Sequence, residues 1–213
     1  MITNEYIKVI LQLLEERCPN KKKVIYTNKY YLDKIILVLK DAVSWKSLSR
    51  LYPTDKKYHY KTIQDIFLKW SKLNIFEDAY NLLLNKYILP KYSYKSNIDL
   101  FIDTANISNK YGQELAKFGQ NKKKKVTKIS LITSHDKIPL SVSFYAGNIH
   151  DVKTIEPSLS HITNKLKYNN INLIGDKGYI SNDIKQKLKH ININLVTYSK
   201  ANQKIKNSSY ELT

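Results

Sequence analysis

Two short apolar stretches, "NIDLFID" and "INLIGD", each end in an aspartate: Asp103 and Asp176. Aspartate is disfavoured within strands and costly to bury unpaired, so each residue either caps the element that follows it or is positioned to act. Taken alone, either one reads more readily as a cap. The pair reads differently. If the two strands are parallel neighbours, both carboxylates emerge side by side at the carboxyl ends, the edge where open α/β sheets place ligands. Adjacent carboxylates with no cationic side chain between them repel unless a divalent cation joins them. Hard oxygen donors suit Mg²⁺ or Mn²⁺. Two such ions about 3.5–4 Å apart can activate an attacking oxygen and stabilise a leaving one in phosphodiester chemistry. Gly178, just after Asp176, allows a tight turn and close backbone approach by a ligand.

Charge points to the substrate class. The 213 residues hold 36 basic and 18 acidic side chains, a formal charge of +18, which suggests a polyanionic partner. Only Arg17 and Arg50 are arginine, so bidentate guanine readout is scarce and phosphate contacts dominate the expected interface. An alternative source of this composition, rich in Lys, Ile, Asn and Tyr, is an AT-rich coding sequence, but the electrostatic field is the same either way. The candidate phosphate contacts are the run Lys122, Lys123, Lys124 and Lys125, then Lys128, all leading into a hairpin. Lys177 beside Asp176 is another, and Lys56, Lys57 and Lys61 in the basic, aromatic "KKYHYK" segment complete the set. His150 in "GNIHD" reads as structural more readily than as a DNA contact, and Tyr179 as either a stacking or a packing ring.

These groups need elements to position them. Up to about residue 90, apolar residues recur at helical spacing: Ile7, Ile10, Leu11 and Leu14, then Leu32, Ile35, Ile36 and Leu39, the second set with Asn28 as N-cap. Trp45, Leu48 and Leu51 suit a short helix ended by Pro53. Ile63, Ile66, Phe67 and Trp70 suit a longer one, and Phe76, Tyr80 and Leu83 another. Short helices around such a turn are compatible with a helix-turn-helix. From about Asn97 the period changes to that of strands. "VTKISLIT" and "IPLSVSFYAG" flank "SHDK" as a hairpin, with Leu140, Val142 and Phe144 expected on its one buried face. Asp151 is a candidate cap for a helix carrying Ile155, Leu159 and Ile162, and Ser181 for one after "LIGD". The order is strand, hairpin, helix, strand, helix, strand, a mixed α/β sheet. Pro90 marks the boundary, giving residues 1–92 as a helical DNA-binding module and 93–213 as the second domain.

The single cysteine, Cys18, excludes an internal disulfide and a cysteine-rich zinc module. No apolar run approaches the roughly 20 residues that span a bilayer, and "MITNEYIKVI" does not read as a secretory signal. The expectation is an intracellular protein associated with DNA and not with a membrane.

Several segments, in order, resemble the DDE-type insertion-sequence transposases. "SWKSLSRLYP" through "FEDAY" looks like their helical DNA-binding region, and "FIDTANISNKYG" like the first-Asp segment. "KVTKISLITSHDKIPLSVSFYAGNIHD" resembles their hairpin and the stretch after it, and "LIGDKGYIS" their second-Asp motif. The resemblance implies a ribonuclease-H-like catalytic domain and cleavage and joining of DNA strands at transposon ends and target. It also implies two Mg²⁺ (or Mn²⁺) ions at a site including Asp103 and Asp176, and a homo-oligomer on DNA. The family's third acid is a Glu on a helix after the last strand. Here Glu211 is the sole Glu beyond Asp176, so the expected domain is incomplete at its C-terminus. The alternative function is a catalytically inactive DNA-binding remnant that competes with transposition. A resolvase-like nuclease on the same fold is a third reading, disfavoured by the N-terminal segment.

Overall fold

The computed structural model describes residues 4–19, 26–51, 59–93, 95–108, 117–118, 125–163, 166 and 170–197. The chain divides into two compact units, Met1–Ile88 and Leu89–Thr213. Among the described residues, no helix is long and apolar enough to cross a membrane.

The first unit is helical: α1 (Asn4–Arg17), α2 (Asn28–Asp41), α3 (Trp45–Leu51), α4 (Tyr60–Lys72) and α5 (Ile75–Leu83), followed by a π turn at Leu84–Ile88. Its core draws Ile10, Leu13 and Leu14 from α1, Leu32 and Ile35 from α2, Leu48 from α3, Ile63 and Trp70 from α4, and Ile75 and Ala79 from α5. Trp45, Phe67, Phe76 and Trp70 line up ring to ring along this core, at centroid separations of 5.4, 5.5 and 6.4 Å. Two details depart from the sequence reading. Leu39, at the far end of the expected α2 stripe, is exposed. The α2 cap is Thr27, whose hydroxyl accepts from the Tyr30 amide, so Asn28 is the first helical residue instead. Lys61 is exposed in the first turn of α4. Pro53, Lys56 and Lys57 lie outside the described residues.

The second unit opens with a short helix, α6 (Pro90–Ser93), and then builds a mixed sheet. Its strands are β1 (Asn97–Ser108), β2 (Lys117–Phe118), β3 (Lys125–Ser134), β4 (Pro139–Ala146), β5 (Asn170–Gly175) and β6 (Ile193–Thr197). β1 is central, antiparallel to β3 and parallel to β5. β4 and the short β2 pair with β3, and β6 runs parallel beside β5. Helix α7 (Ile155–Thr163) links β4 to β5, and α8 (Asn182–Lys189) links β5 to β6. This is the ribonuclease-H-like mixed sheet in the expected element order. Alternation drives one face inward: Ile98, Leu100 and Ile102 of β1, Ile171 and Leu173 of β5, and Ile193 and Leu195 of β6 are buried with Ile155, Leu159, Ile162, Ile184 and Leu188 of the two helices. Ser181 caps α8, accepting from the Ile184 amide.

The hairpin strand β4 reverses the expected sidedness. Ile132 pairs with Ser141 but Thr133 pairs with Pro139, so Leu140 is an extra residue, a bulge. Leu140 and Ser141 are both buried, and from there Val142 and Phe144 point outward, 47% and 57% exposed. Of the inward polar side chains only Tyr145 meets polar partners, while the Ser141 and Ser143 hydroxyls are buried without a hydrogen-bond partner among the described residues. The Tyr145 hydroxyl lies 3.1 Å from Ser158 Oγ of α7, which in turn donates to Ser130 Oγ at 3.1 Å.

Candidate active site

The parallel ladder between β1 and β5 pairs each residue with the one 73 places on, from Asn97 with Asn170 to Phe101 with Ile174. Asp103 and Asp176 stand in that same relation, two residues beyond the last rung, but only Asp176 follows the end of its strand. Asp103 lies inside β1, which was expected to stop there and instead runs on to Ser108 because its far half keeps pairing with β3. Burial along β1 alternates, and Asp103 falls on an exposed position between the buried Ile102 and the half-buried Thr104. Asp103 Oδ1 accepts from the Thr104 amide at 2.8 Å. Asp176 Oδ1 accepts from the Gly178 amide at 2.8 Å, capping the short turn Lys177–Tyr179. For Asp176 a capping role and a ligand role are therefore compatible, while Asp103 caps no element; in each carboxylate one oxygen suffices for the local bond. Among the described residues, neither aspartate takes part in an ion pair.

The turn after β5 is shaped by two glycines. A β-carbon on Gly175 would stand 2.8 Å from Tyr179 Cδ2 and 3.1 Å from Ile102 Cγ2, so the Tyr179 ring packs directly on this backbone. A β-carbon on Gly178 would stand 2.9 Å from Asp176 Oδ1 and 3.1 Å from Asp151 Oδ2, so two carboxylate oxygens flank the space that glycine leaves open. Tyr179 is 1% exposed, and its hydroxyl has no hydrogen-bond partner among the described residues. Burial raises its pKa well above 10.0. The charges of Asp151, Asp103 and Asp176 push the same way and the nearby Thr104 hydroxyl opposes them, so the phenol stays protonated. It is a packing ring whose polar end faces the acidic groups.

Asp151 was legible only as a helix cap, and the structure gives it different work. It opens a single 3₁₀ turn, Asp151–Thr154, and its Oδ1 accepts from the Thr104 hydroxyl at 2.8 Å and from the Lys128 ammonium. Lys128 is 6% exposed and also donates to the Ile149 carbonyl at 2.6 Å, so it forms an internal ion pair and does not offer an open phosphate contact. The signal for this was strand parity: Lys128 shares the inward face of β3 with Val126, Ser130, Ile132 and Ser134. Lys125 and Lys177 are exposed, as is His150, which sits at the N-cap position of the 3₁₀ turn without a capping bond. Lys122, Lys123, Lys124 and Glu211 lie outside the described residues.

The donor set fits a hard divalent cation in kind. Asp103 and Asp176 each keep an oxygen outside the local bonds named above, and the lysine nearest by hydrogen bonding is committed to Asp151. Among the described residues, no group of three or more histidine, cysteine or carboxylate side chains is arranged to hold a metal.

Comparison with curated proteins finds no match. Among solved structures, the chain is similar to the piggyBac transposase synaptic complex with hairpin DNA, at a TM-score of 0.49 and 12% identity over 94% of this chain and 48% of that one. It is also similar to the Mos1 strand transfer complex, at a TM-score of 0.31 and 10% identity over 94% of this chain and 79% of that one. The chain thus spans about half the length of the first. Residues 95–212, more than half of the sequence, match the family model described as the transposase DDE domain, and the chain belongs to that family.

Proposed function

We propose that the chain is a DNA transposase that binds transposon ends and cleaves and joins DNA strands by metal-dependent phosphoryl transfer. The observation that carries this reading is the pair Asp103 and Asp176, each two residues beyond the last rung of the parallel β1–β5 ladder and outside any described ion pair, in a chain of charge +18. Asp103 and Asp176 would hold Mg²⁺ or Mn²⁺, which when bound supplies Lewis-acid polarisation of a phosphate oxygen and neutralises charge as it develops. The protein's own residues do the rest. The Thr104 and Gly178 amides fix the two carboxylates, while Lys125 and Lys177 meet the DNA backbone. Lys122, Lys123 and Lys124 extend that contact in sequence, and Lys56, Lys57 and Lys61 serve the helical unit in holding the ends. A homo-oligomer on DNA, intracellular, is the assembly that this chemistry calls for.

The test is nicking and joining of plasmid DNA by the purified chain in Mg²⁺ or Mn²⁺. Asp103→Ala and Asp176→Ala each lower the rate by about a hundredfold or more while DNA affinity stays within about threefold. Undiminished nicking by either variant contradicts the assignment. Tight DNA binding with no nicking by the parent chain assigns it instead as a non-catalytic competitor.

A further inference from the structure

A lysine at an inward position of a central strand needs a reason. Replacing a buried ion pair by apolar side chains of similar volume is often neutral or stabilising, so the Lys128–Asp151 pair is not explained by stability alone. Its connections supply the reason. Thr104, which donates to Asp151 Oδ1 at 2.8 Å, immediately follows Asp103, so this bond ties the middle of β1 to the turn before α7. The other oxygen, Asp151 Oδ2, faces Gly178. With 3.1 Å from it and 2.9 Å from Asp176 Oδ1 to the point where a β-carbon would stand, the loop carrying Asp176 closes on Asp151 as far as glycine permits. Four segments therefore meet at one carboxylate: the middle of β1, the inward face of β3, the turn before α7 and the turn after β5.

We propose that Asp151, neutralised by Lys128, is a positioning residue that sets the spacing of Asp103 and Asp176 for a divalent cation. The inference rests on the metal reading given above and deepens it. Two consequences follow from the charges. Lys128 is committed to Asp151, so its ammonium does not compensate Asp103 and Asp176, which keep their negative charge for a cation. Removing the charge of Asp151 leaves an unpaired ammonium within the site, which repels a cation, and loosens the anchor on Thr104. Both effects weaken cation binding without altering a ligand.

The experiment titrates the full chain with Mn²⁺ and follows the free-ion signal by electron paramagnetic resonance. Thermal unfolding by circular dichroism confirms that each variant is folded at the titration temperature. The parent binds Mn²⁺ and Asp103→Asn weakens that binding. Asp151→Asn and Thr104→Val, neither of which removes a ligand, each weaken it by about tenfold, the scale seen when the partners that orient metal ligands are lost. A purely structural role lowers the melting temperature of Asp151→Asn and leaves Mn²⁺ affinity within twofold of the parent, which overturns the proposal. If Asp151→Asn does not fold, Thr104→Val decides: it removes the hydroxyl that holds Asp151 Oδ1 and leaves the Lys128–Asp151 pair in place. Parent-like affinity in Thr104→Val then overturns the proposal. Equal binding by parent and Asp103→Asn overturns the metal reading together with this inference, whereas weakening in Asp103→Asn alone overturns only the inference.

Discussion

Gly175 shows how a single residue sets the geometry after β5. Its Cα touches the Tyr179 ring so closely that a methyl group would stand 2.8 Å from Cδ2. Gly175→Ala should therefore cost about 1–3 kcal/mol by overpacking, read from urea unfolding, and a stability equal to the parent would refute the close fit. Tyr179→Phe separates the ring from its hydroxyl. Because the hydroxyl has no described partner, the change should be neutral or stabilise by up to about 1 kcal/mol at neutral pH. The folded pKa of Tyr179 is raised above 10.0, so the unfolded chain loses the proton first, and the stability tied to keeping it disappears as pH rises beyond 10. Tyr179→Phe should flatten that alkaline decline in part, since Tyr6, Tyr80 and Tyr92 are raised by burial too. An unchanged alkaline profile would contradict this. At this scale the sequence made the two aspartates legible, because an acid ending an apolar run is unusual in two places at once. It did not make Asp151 legible, since that carboxylate depends on a lysine in β3 and a threonine in β1, both distant in the chain.

Elements were legible wherever one period governs a whole segment. The apolar spacing of α4 and α5 and the run ending at Asp176 fall where the elements form, whereas β1 continues past Asp103 to Ser108. The sidedness of β4 was not legible, because one bulged residue inverts every position after it and the inversion is set by pairing with β3. The consequence is measurable. Leu140→Ala, at a residue 3% exposed, should cost about 2–5 kcal/mol, whereas Phe144→Ser, at 57% exposure, should cost less than about 1 kcal/mol in the same denaturation assay. The reverse ranking would restore the simple alternating hairpin. Caps follow the same logic at lower stakes: Ser181 was readable from its position before a helical pattern, while Thr27 and Asn28 are adjacent cap-competent residues that only geometry distinguishes.

For the whole molecule, the dominant quantity is the charge of +18, almost all of it lysine. If DNA is the partner and phosphates are the contacts, affinity should fall steeply with salt, by at least about a hundredfold between 50 and 200 mM for six or more phosphate contacts. A loss of under threefold would mean that the lysines are mere solvated surface. Strand chemistry needs more than this field, since it also needs a cation held between Asp103 and Asp176. Mn²⁺ broadens nearby nuclear resonances, so substoichiometric addition to isotope-labelled chain reads the location of that cation directly. The amides of Thr104 and Gly178, which donate to Asp103 and Asp176, should broaden first. Broadening elsewhere, with these two amides sharp, would contradict the claim that the paired aspartates form a metal site.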